Sequence, residues 1–259
     1  MFKVLKKKLR DTPLWIKISH SDFYQKIRNP AAYQSFKDEL IFYRNLFGEK
    51  KMKLIFDVGA NVGNKTHIFS KTARQVVSFE PSQKCLHILR SRFSNKKVMI
   101  IDTALSNTGG ALDYYQVNTN EAYSSFSKKH IDSTVTKRKV AGADEIVMKK
   151  IPTNTLDSFI NTYGVPDYIK IDVEGFEWEV ISGLTQTVPL ISFEANLPDF
   201  LFETVSIIEY LSKLSNRSYL YNINVNGPFL FDSFVSKEAI INHLRNIDLT
   251  YLEVYAKIF

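Results

Sequence analysis

Leu54-Ile55-Phe56-Asp57-Val58-Gly59-Ala60-Asn61-Val62-Gly63 is the stretch on which the fold turns. Its first three residues read as a buried strand, and the glycines behind them let the backbone turn tightly and approach a ligand before a helix begins. Working outward, residues 76–79 form a second strand. Leu86, Leu89 and Phe93 mark one face of the next helix, and residues 98–101 form a third strand. This βαβαβ order predicts a parallel sheet with helices on both faces.

The rhythm breaks after the third strand. Residues 112–117 read as an antiparallel or edge strand, and residues 118–143 are polar and irregular. A loop of that length in a compact domain accompanies function or mobility. Alternation resumes with a helix over 156–162, a strand over 168–171, a helix over 176–182 stopped by Gly183, and a strand over 190–193. Leu201, Val205, Ile208, Leu211 and Leu214 then give an amphipathic helix, and strands over 219–223 and 251–256 close the chain. The expectation is a doubly wound, Rossmann-like α/β domain over residues 51–259 with a mostly parallel seven-stranded sheet. Ahead of it, residues 1–50 read as a helical extension, with Phe36, Leu40, Tyr43 and Phe47 on one stripe and Gly48 as the stop.

Composition narrows the class. At 44% hydrophobic and 24% charged residues, the chain of 259 is globular rather than disordered. Cys85 is the single cysteine, so no internal disulfide forms, and its place on the apolar side of a helix points to a packed, inert thiol. No run reaches the roughly 18 apolar residues of a membrane helix, and no apolar stretch follows the basic N-terminus, so a cytoplasmic location is expected. The net charge of +7 is spread over local clusters: Lys3, Lys6, Lys7, Lys8 and Arg10, then Lys128-Lys129, Lys137-Arg138-Lys139 and Lys149-Lys150. These read as solvated ends and loops. The sharper alternative is weak attraction to an anionic substrate or membrane surface.

Asp57 to Gly63 sits between strand and helix, and Glu80, in Phe79-Glu80-Pro81-Ser82, follows Gly59 by 21 residues at the end of the second strand. An acid at about that spacing is placed to hydrogen-bond a ribose diol. The pair together points to an adenosine-containing cofactor. A nicotinamide dinucleotide would set its pyrophosphate at the helix N-terminus, where Asp57 would repel it, and the pattern is Gly-x-Asn-x-Gly rather than Gly-x-Gly-x-x-Gly. S-adenosylmethionine carries an ammonium and a sulfonium and no phosphate, so the same carboxylate favours it. Asp57 also has a plain reading as a loop cap. Asp102, Thr103 and Ala104, after the third strand, border the adenine position, with turn capping as the other role for Asp102.

Asp172 and Glu174, in Lys170-Ile171-Asp172-Val173-Glu174-Gly175-Phe176-Glu177, stand at the end of one central strand, and Glu194 at the end of the next. Three converging carboxylates repel one another unless a lysine, a shared proton, a cation or a substrate compensates. Lys170 shares the Asp172 face of a buried strand and reads as its structural ion-pair partner. Together with Asp57 to Gly63, Phe79-Glu80-Pro81, Thr155-Leu156-Asp157 and Phe193-Glu194, this cluster resembles the FkbM family of methyltransferases over residues 52–196. The resemblance implies S-adenosylmethionine as donor and O-methylation of sugars or other natural-product hydroxyls.

On that reading Gly59, Asn61, Gly63, Glu80, Pro81, Asp102, Thr103, Ala104, Asp57 and Asp172 hold the cofactor. Asp172 or Glu174, assisted by Glu194, accepts or orients the hydroxyl proton. Hard oxygen ligands would suit magnesium, yet no histidine lies near in sequence and no metal is expected. His130 is read as a surface residue, with catalytic base as the alternative. Tyr114, Tyr115, Tyr123 and Phe126 either stack on a sugar or pack the loop. The competing readings are a non-catalytic adenosine-binding module, a nicotinamide oxidoreductase, a methyltransferase for a small secondary metabolite, and one acting on nucleic acid. The acidic cluster would repel a phosphate backbone, so no nucleic-acid partner is expected. Acceptor identity and oligomeric state have no legible code.

Overall fold

The computed structural model describes residues 10–118, 120–136, 146–225 and 227–259. Lys3, Lys6, Lys7, Lys8 and the 137–139 basic cluster lie outside them, as does the 137–143 part of the irregular segment. Three helices come first: α1 (Pro13–Ser19), α2 (Asp22–Arg28) and α3 (Pro30–Phe47). Then follow β1 (Met52–Val58), α4 (Asn64–Thr72), β2 (Ala73–Phe79), α5 (Gln83–Arg92), β3 (Val98–Ile101), β4 (Ala104–Leu105), β5 (Gly110–Val117) and β6 (Ile146–Asn154). The last part alternates in the order α6 (Leu156–Tyr163), β7 (Tyr168–Ile171), α7 (Glu177–Ser182), β8 (Leu190–Asn196), α8 (Leu201–Leu214), β9 (Tyr219–Asn224), α9 (Lys237–Asn246) and β10 (Tyr251–Ile258).

The main sheet has seven strands in the order β3-β2-β1-β7-β8-β10-β9. All pairs are parallel except those of β10, which runs antiparallel to β8 and β9. The chain works outward from β1 to one edge, then returns to β7 on the other side of β1. The order therefore reverses between β1 and β7, and a ligand crevice opens beyond the carboxyl ends there. This is the expected doubly wound, Rossmann-like arrangement.

Alternation along β1 divides the interior. Leu54, Phe56 and Val58 face one core with Ile160 of α6, Val180 of α7, Ile208 of α8 and Ile240 of α9. Ile55 faces the other, with Tyr43 of α3, Phe69 of α4 and Leu89 of α5. The helical extension is thus part of the second core. Tyr43 is 1% exposed and packs edge-on against Phe69, with its hydroxyl 3.4 Å from that of Tyr255 in β10. On α2, Asp22 binds His67 and Lys71 of α4 at 2.7 and 2.9 Å. On α8 the buried face is rotated slightly from the expected stripe: Thr204, Ile207, Ile208 and Leu211 are buried, while Leu201, Val205 and Leu214 are half-buried at its margin.

A second, three-stranded sheet, β4-β6-β5, stands beside the first. The antiparallel strand expected at 112–117 is β5, paired with β6 along its length. β6 itself has no counterpart in the sequence reading, because Val147 and Met148 are exposed and Lys149 and Lys150 follow them. Within the segment expected to be irregular, Glu121–Tyr123 forms a single 3-10 turn and Lys128–His130 runs into a wider helical turn, Ile131–Thr136. Among the described residues no helix is long and apolar enough to cross a membrane.

Candidate active site

The loop after β1 is pressed against the end of β7. A Cβ on Gly59 would lie 1.8 Å from the backbone oxygen of Asp172, and its φ is +78°, so only glycine fits. Gly63, at φ +84°, opens α4 where a Cβ would strike Leu89 and Phe93 at 2.6 Å. Between them, the Asn61 amide donates to Glu80 at 2.7 Å, and the Ser82 amide donates to the other carboxylate oxygen at 2.8 Å. Glu80 is buried at the end of β2. Desolvation pushes its carboxyl up to about 7, against the pull of those two amides.

Gly59, Asn61, Glu80 and Asp172 line a cavity at the carboxyl ends of β1, β2 and β7, with Pro81, Thr103 and Ala104 completing the wall toward β4. Tyr114 and Phe126, with ring centroids 4.8 Å apart, fill part of it, and the free volume is about 100 Å³. Four carboxylates line it, those of Glu80, Glu121, Asp172 and Glu174; none of the lining residues is Lys, Arg or His. Glu121 was not singled out in the sequence. It is held by Gln116 at 2.6 Å, Ser82 at 2.9 Å and Lys84 at 2.9 Å. Tyr115 and Tyr123 pack instead around Val117 and Ile131.

Three expected cofactor residues are absent from that lining. The Asp57 side chain points behind the loop, where it is buried and accepts from Thr66 Oγ1 of α4 at 2.5 Å. Strand alternation turns it toward the α3–α4 face, away from the crevice. Asp102 faces outward to Gln83 and Arg90, which leaves Thr103 and Ala104 as the groups beside the cavity. Gly63 serves the packing of α4 on α5. Cys85 lies at the cavity wall and is buried, its thiol pushed up to about 12 chiefly by desolvation and then by Glu80. That matches an inert sulfur.

The acidic cluster assembles as expected: one oxygen each from Asp172, Glu174 and Glu194 lies within 4.8 Å of the others. Glu174 takes a left-handed backbone, φ 56°, followed by Gly175 at φ 84°. The turn is held by Glu177, whose carboxylate accepts from the amides of Val173 and Gly175 at 3.0 and 3.2 Å. Desolvation pushes Glu177 up to about 7. Glu174 and Glu194 are pushed well above the usual carboxylate range, first by desolvation and then by Asp172.

Compensation comes from Lys170, which is 3% exposed and places Nζ 2.6 Å from Asp172 Oδ2. Burial alone would discharge the ammonium, but Asp172, Glu253 and Asp57 outweigh it and push its pKa well above that of an ordinary lysine. The cluster therefore already has a resident cation.

His130 corrects the sequence reading. It is 1% exposed rather than on the surface, with Nε2 3.6 Å from Glu174 Oε2. The Ser127 hydroxyl caps the turn from below by accepting from the His130 amide. Lys129 anchors the turn from outside, bound to Glu203 at 2.6 Å and lying 4.4 Å over the Phe200 ring. Glu253 also went unassigned. It stands opposite Glu194 in the sheet and accepts from Ser192 Oγ at 2.5 Å. Its signal was available: a lone carboxylate within the apolar run Leu252-Glu253-Val254-Tyr255-Ala256.

Among solved structures, the plantazolicin methyltransferase BpumL in complex with SAH is 14% identical, the match covering 99% of this chain and 100% of that one at a TM-score of 0.44. The precorrin-6y C5,15-methyltransferase of Geobacter metallireducens GS-15 is 10% identical, covering 90% of each chain at 0.43. An rRNA methylase of Streptococcus thermophilus is 10% identical, covering 90% of this chain and 98% of that one at 0.40. Likeness this distant bears on neither acceptor nor mechanism. No curated protein matches the chain. The model of the methyltransferase FkbM domain, however, matches residues 57–221, more than half of the chain, and that span holds the β1 loop, Glu80 and the whole acidic cluster. The chain belongs to the FkbM family of methyltransferases.

Proposed function

We propose that this methyltransferase binds S-adenosylmethionine in the cavity beyond β1, β2 and β7, and that it delivers the methyl group to a hydroxyl oxygen of a sugar, glycan or glycolipid precursor. The observation that carries the reading is the make-up of the cavity wall: four carboxyl groups and, among the described residues that line it, no basic side chain. A ligand with a sulfonium and an ammonium suits that wall and favours ionisation of its carboxyls, whereas a pyrophosphate would face those carboxyls with the nearby cations Lys84 and Lys170 already held by Glu121 and Asp172. The residues fit the donor in other respects too. Both Glu80 oxygens accept a backbone N–H and retain lone pairs for a ribose diol. Gly59 keeps the loop backbone at the cavity wall.

When bound, S-adenosylmethionine supplies a methyl carbon already activated toward displacement. The protein's task is alignment of the acceptor oxygen and removal of its proton. Asp172, fixed by Lys170, and Glu174, on the Glu177-braced turn, present carboxyl groups to the cavity. We assign proton acceptance to one of this pair. Glu194 lies close enough to share the proton, and desolvation, followed by Asp172, shifts it toward holding one.

Thermal unfolding with S-adenosylmethionine, S-adenosylhomocysteine and NAD in parallel tests the donor. At a hundredfold excess over Kd, a bound ligand adds about 2.7 kcal/mol. Stabilisation by the first two only, weakened in Glu80→Ala, is the expected result; stabilisation by NAD alone would refute the reading. With cofactor binding intact, Asp172→Asn and Glu174→Gln should each lower turnover on a hydroxyl acceptor at least a hundredfold if that residue takes the proton. Full turnover in both variants would remove the assignment.

A further inference from the structure

A second cavity, about 700 Å³, lies between α3 and the carboxyl-end edge formed by β9 and β10. Its volume falls within the roughly 300–1,000 Å³ of small-molecule sites. It is joined to the acidic cluster by the sheet itself. Across the carboxyl ends, Asn224 of β9 stands opposite Glu253 of β10, and Glu253 opposite Glu194 of β8. Glu194 in turn lies within 4.8 Å of Asp172 and Glu174. Directly paired residues on neighbouring strands project to the same face, so these side chains form one row. Asp172 and Glu174 line the first cavity, Glu253 and Asn224 the second.

Resting on the reading above, we propose that this second cavity holds the methyl acceptor and that it selects a neutral, polyhydroxylated molecule over a phosphorylated one. The chemistry of the walls sets the class. Three carboxylates, Asp38, Glu39 and Glu253, face it against one ammonium, Lys65, and that ammonium is engaged by Glu39 at 2.5 Å. An anion entering here meets surplus negative charge. Hydroxyl groups, in contrast, can donate to those carboxylates and to the amide oxygens of Gln34 and Asn224, whose NH2 groups already donate to Asp38 and to the Gly227 carbonyl. The exposed Tyr251 and the half-buried Phe42 offer ring faces of the kind that cover the apolar side of a sugar. The row from Glu253 through Glu194, which is buried and lines neither cavity, to Asp172 is the side-chain link between this cavity and the donor cavity. On this reading α3 is a specificity element as well as a packing element.

The test uses the full chain with S-adenosylhomocysteine present and saturation-transfer NMR of a panel of neutral methyl glycosides, alongside sugar 6-phosphates. At least one neutral glycoside should bind and the phosphates should not. Ala31→Trp and Ser35→Trp, at exposed positions of α3 on the cavity wall, should weaken glycoside binding at least tenfold while leaving the thermal shift with S-adenosylhomocysteine unchanged. Asp38→Lys, also exposed, should gain binding of a sugar phosphate. Failure of every neutral glycoside to bind, binding indifferent to both tryptophans, or preference of the unaltered chain for phosphates would each overturn the proposal. Methyl transfer from labelled donor is read separately. Glycosides that bind in this cavity with none methylated would overturn the acceptor-site assignment; a glycoside that is methylated while its binding ignores both tryptophans would leave the hydroxyl-methylation reading standing and remove the cavity assignment.

Discussion

Single residues set the electrostatics of the site. Glu80 has an ordinary carboxyl value of 4.5 and is pushed up to about 7 in the fold by desolvation. The folded state therefore holds the proton more tightly than the unfolded one, and the stability this contributes is lost as pH rises from about 4.5 through 7. Glu80→Gln removes the titration, so the variant should gain on the unaltered protein across that window, with the difference levelling off above pH 7. Urea unfolding at half-unit pH steps measures it; a difference that stays flat with pH would contradict the raised value. Lys170 makes the opposite kind of contribution. Lys170→Met leaves Asp172 without its 2.6 Å partner. Losing one member of a buried pair costs about 3–5 kcal/mol, and the 30% exposure of the Asp172 side chain puts the expected loss near the lower figure. Unfolding midpoints that move by less than a few tenths of a kcal/mol would mean that solvent already screens the pair. Both residues were legible in sequence because strand ends carry functional side chains and because a lysine two positions before an aspartate shares its face. His130 was not legible. Its neighbours Lys128 and Lys129 are polar, and only the inward fold of that turn against Gly175 and Phe200 buries it.

At the level of elements, periodicity recovered most strands and helices because each has one apolar face and a clean stop. Gly48, Gly164 and Gly183 all stand where a helix ends. What periodicity leaves out is destination. The stripe on α3 announced a helix, yet nothing in it said that Tyr43 would meet Tyr168 and Tyr255 across the sheet. The consequence is measurable. Tyr43→Ala removes a fully buried ring, for which large-to-small changes of this kind cost about 3–5 kcal/mol, an expectation that chemical unfolding tests directly. A loss below about 1 kcal/mol would mean that α3 is a detachable appendage. β6 escaped for the converse reason: although it is the middle strand of the small sheet, Val147 to Lys150 are all exposed, so no buried side imposes alternation on that stretch.

For the molecule as a whole, the topology of the main sheet was readable because the order of strands and helices leaves few right-handed arrangements. The placing of two cavities on either side of one row of carboxyl-end side chains was not. It depends on β10 inserting antiparallel between β8 and β9, which brings Glu253 beside Glu194 from positions far apart in the chain. Such pairings are set by the closed sheet, not by local pattern.

The narrowness of the first cavity has a kinetic consequence. Its free volume of about 100 Å³ is well below the roughly 300 Å³ at which small-molecule sites begin, and the Tyr114–Phe126 pair and the turn at Glu121–Tyr123 stand in the way. We expect a ligand of the donor's size to enter during excursions that move those wall side chains. The apparent affinity is reduced by the fraction of time spent open. In stopped-flow mixing with excess S-adenosylhomocysteine, the observed rate should level off at the opening frequency instead of climbing linearly with concentration, and Phe126→Ala should raise that ceiling. A strictly linear dependence would mean that the aromatic pair yields faster than the ligand arrives. The same gate operates on the way out, so the pace of turnover would be set by how often Phe126 steps aside as much as by the chemistry behind it.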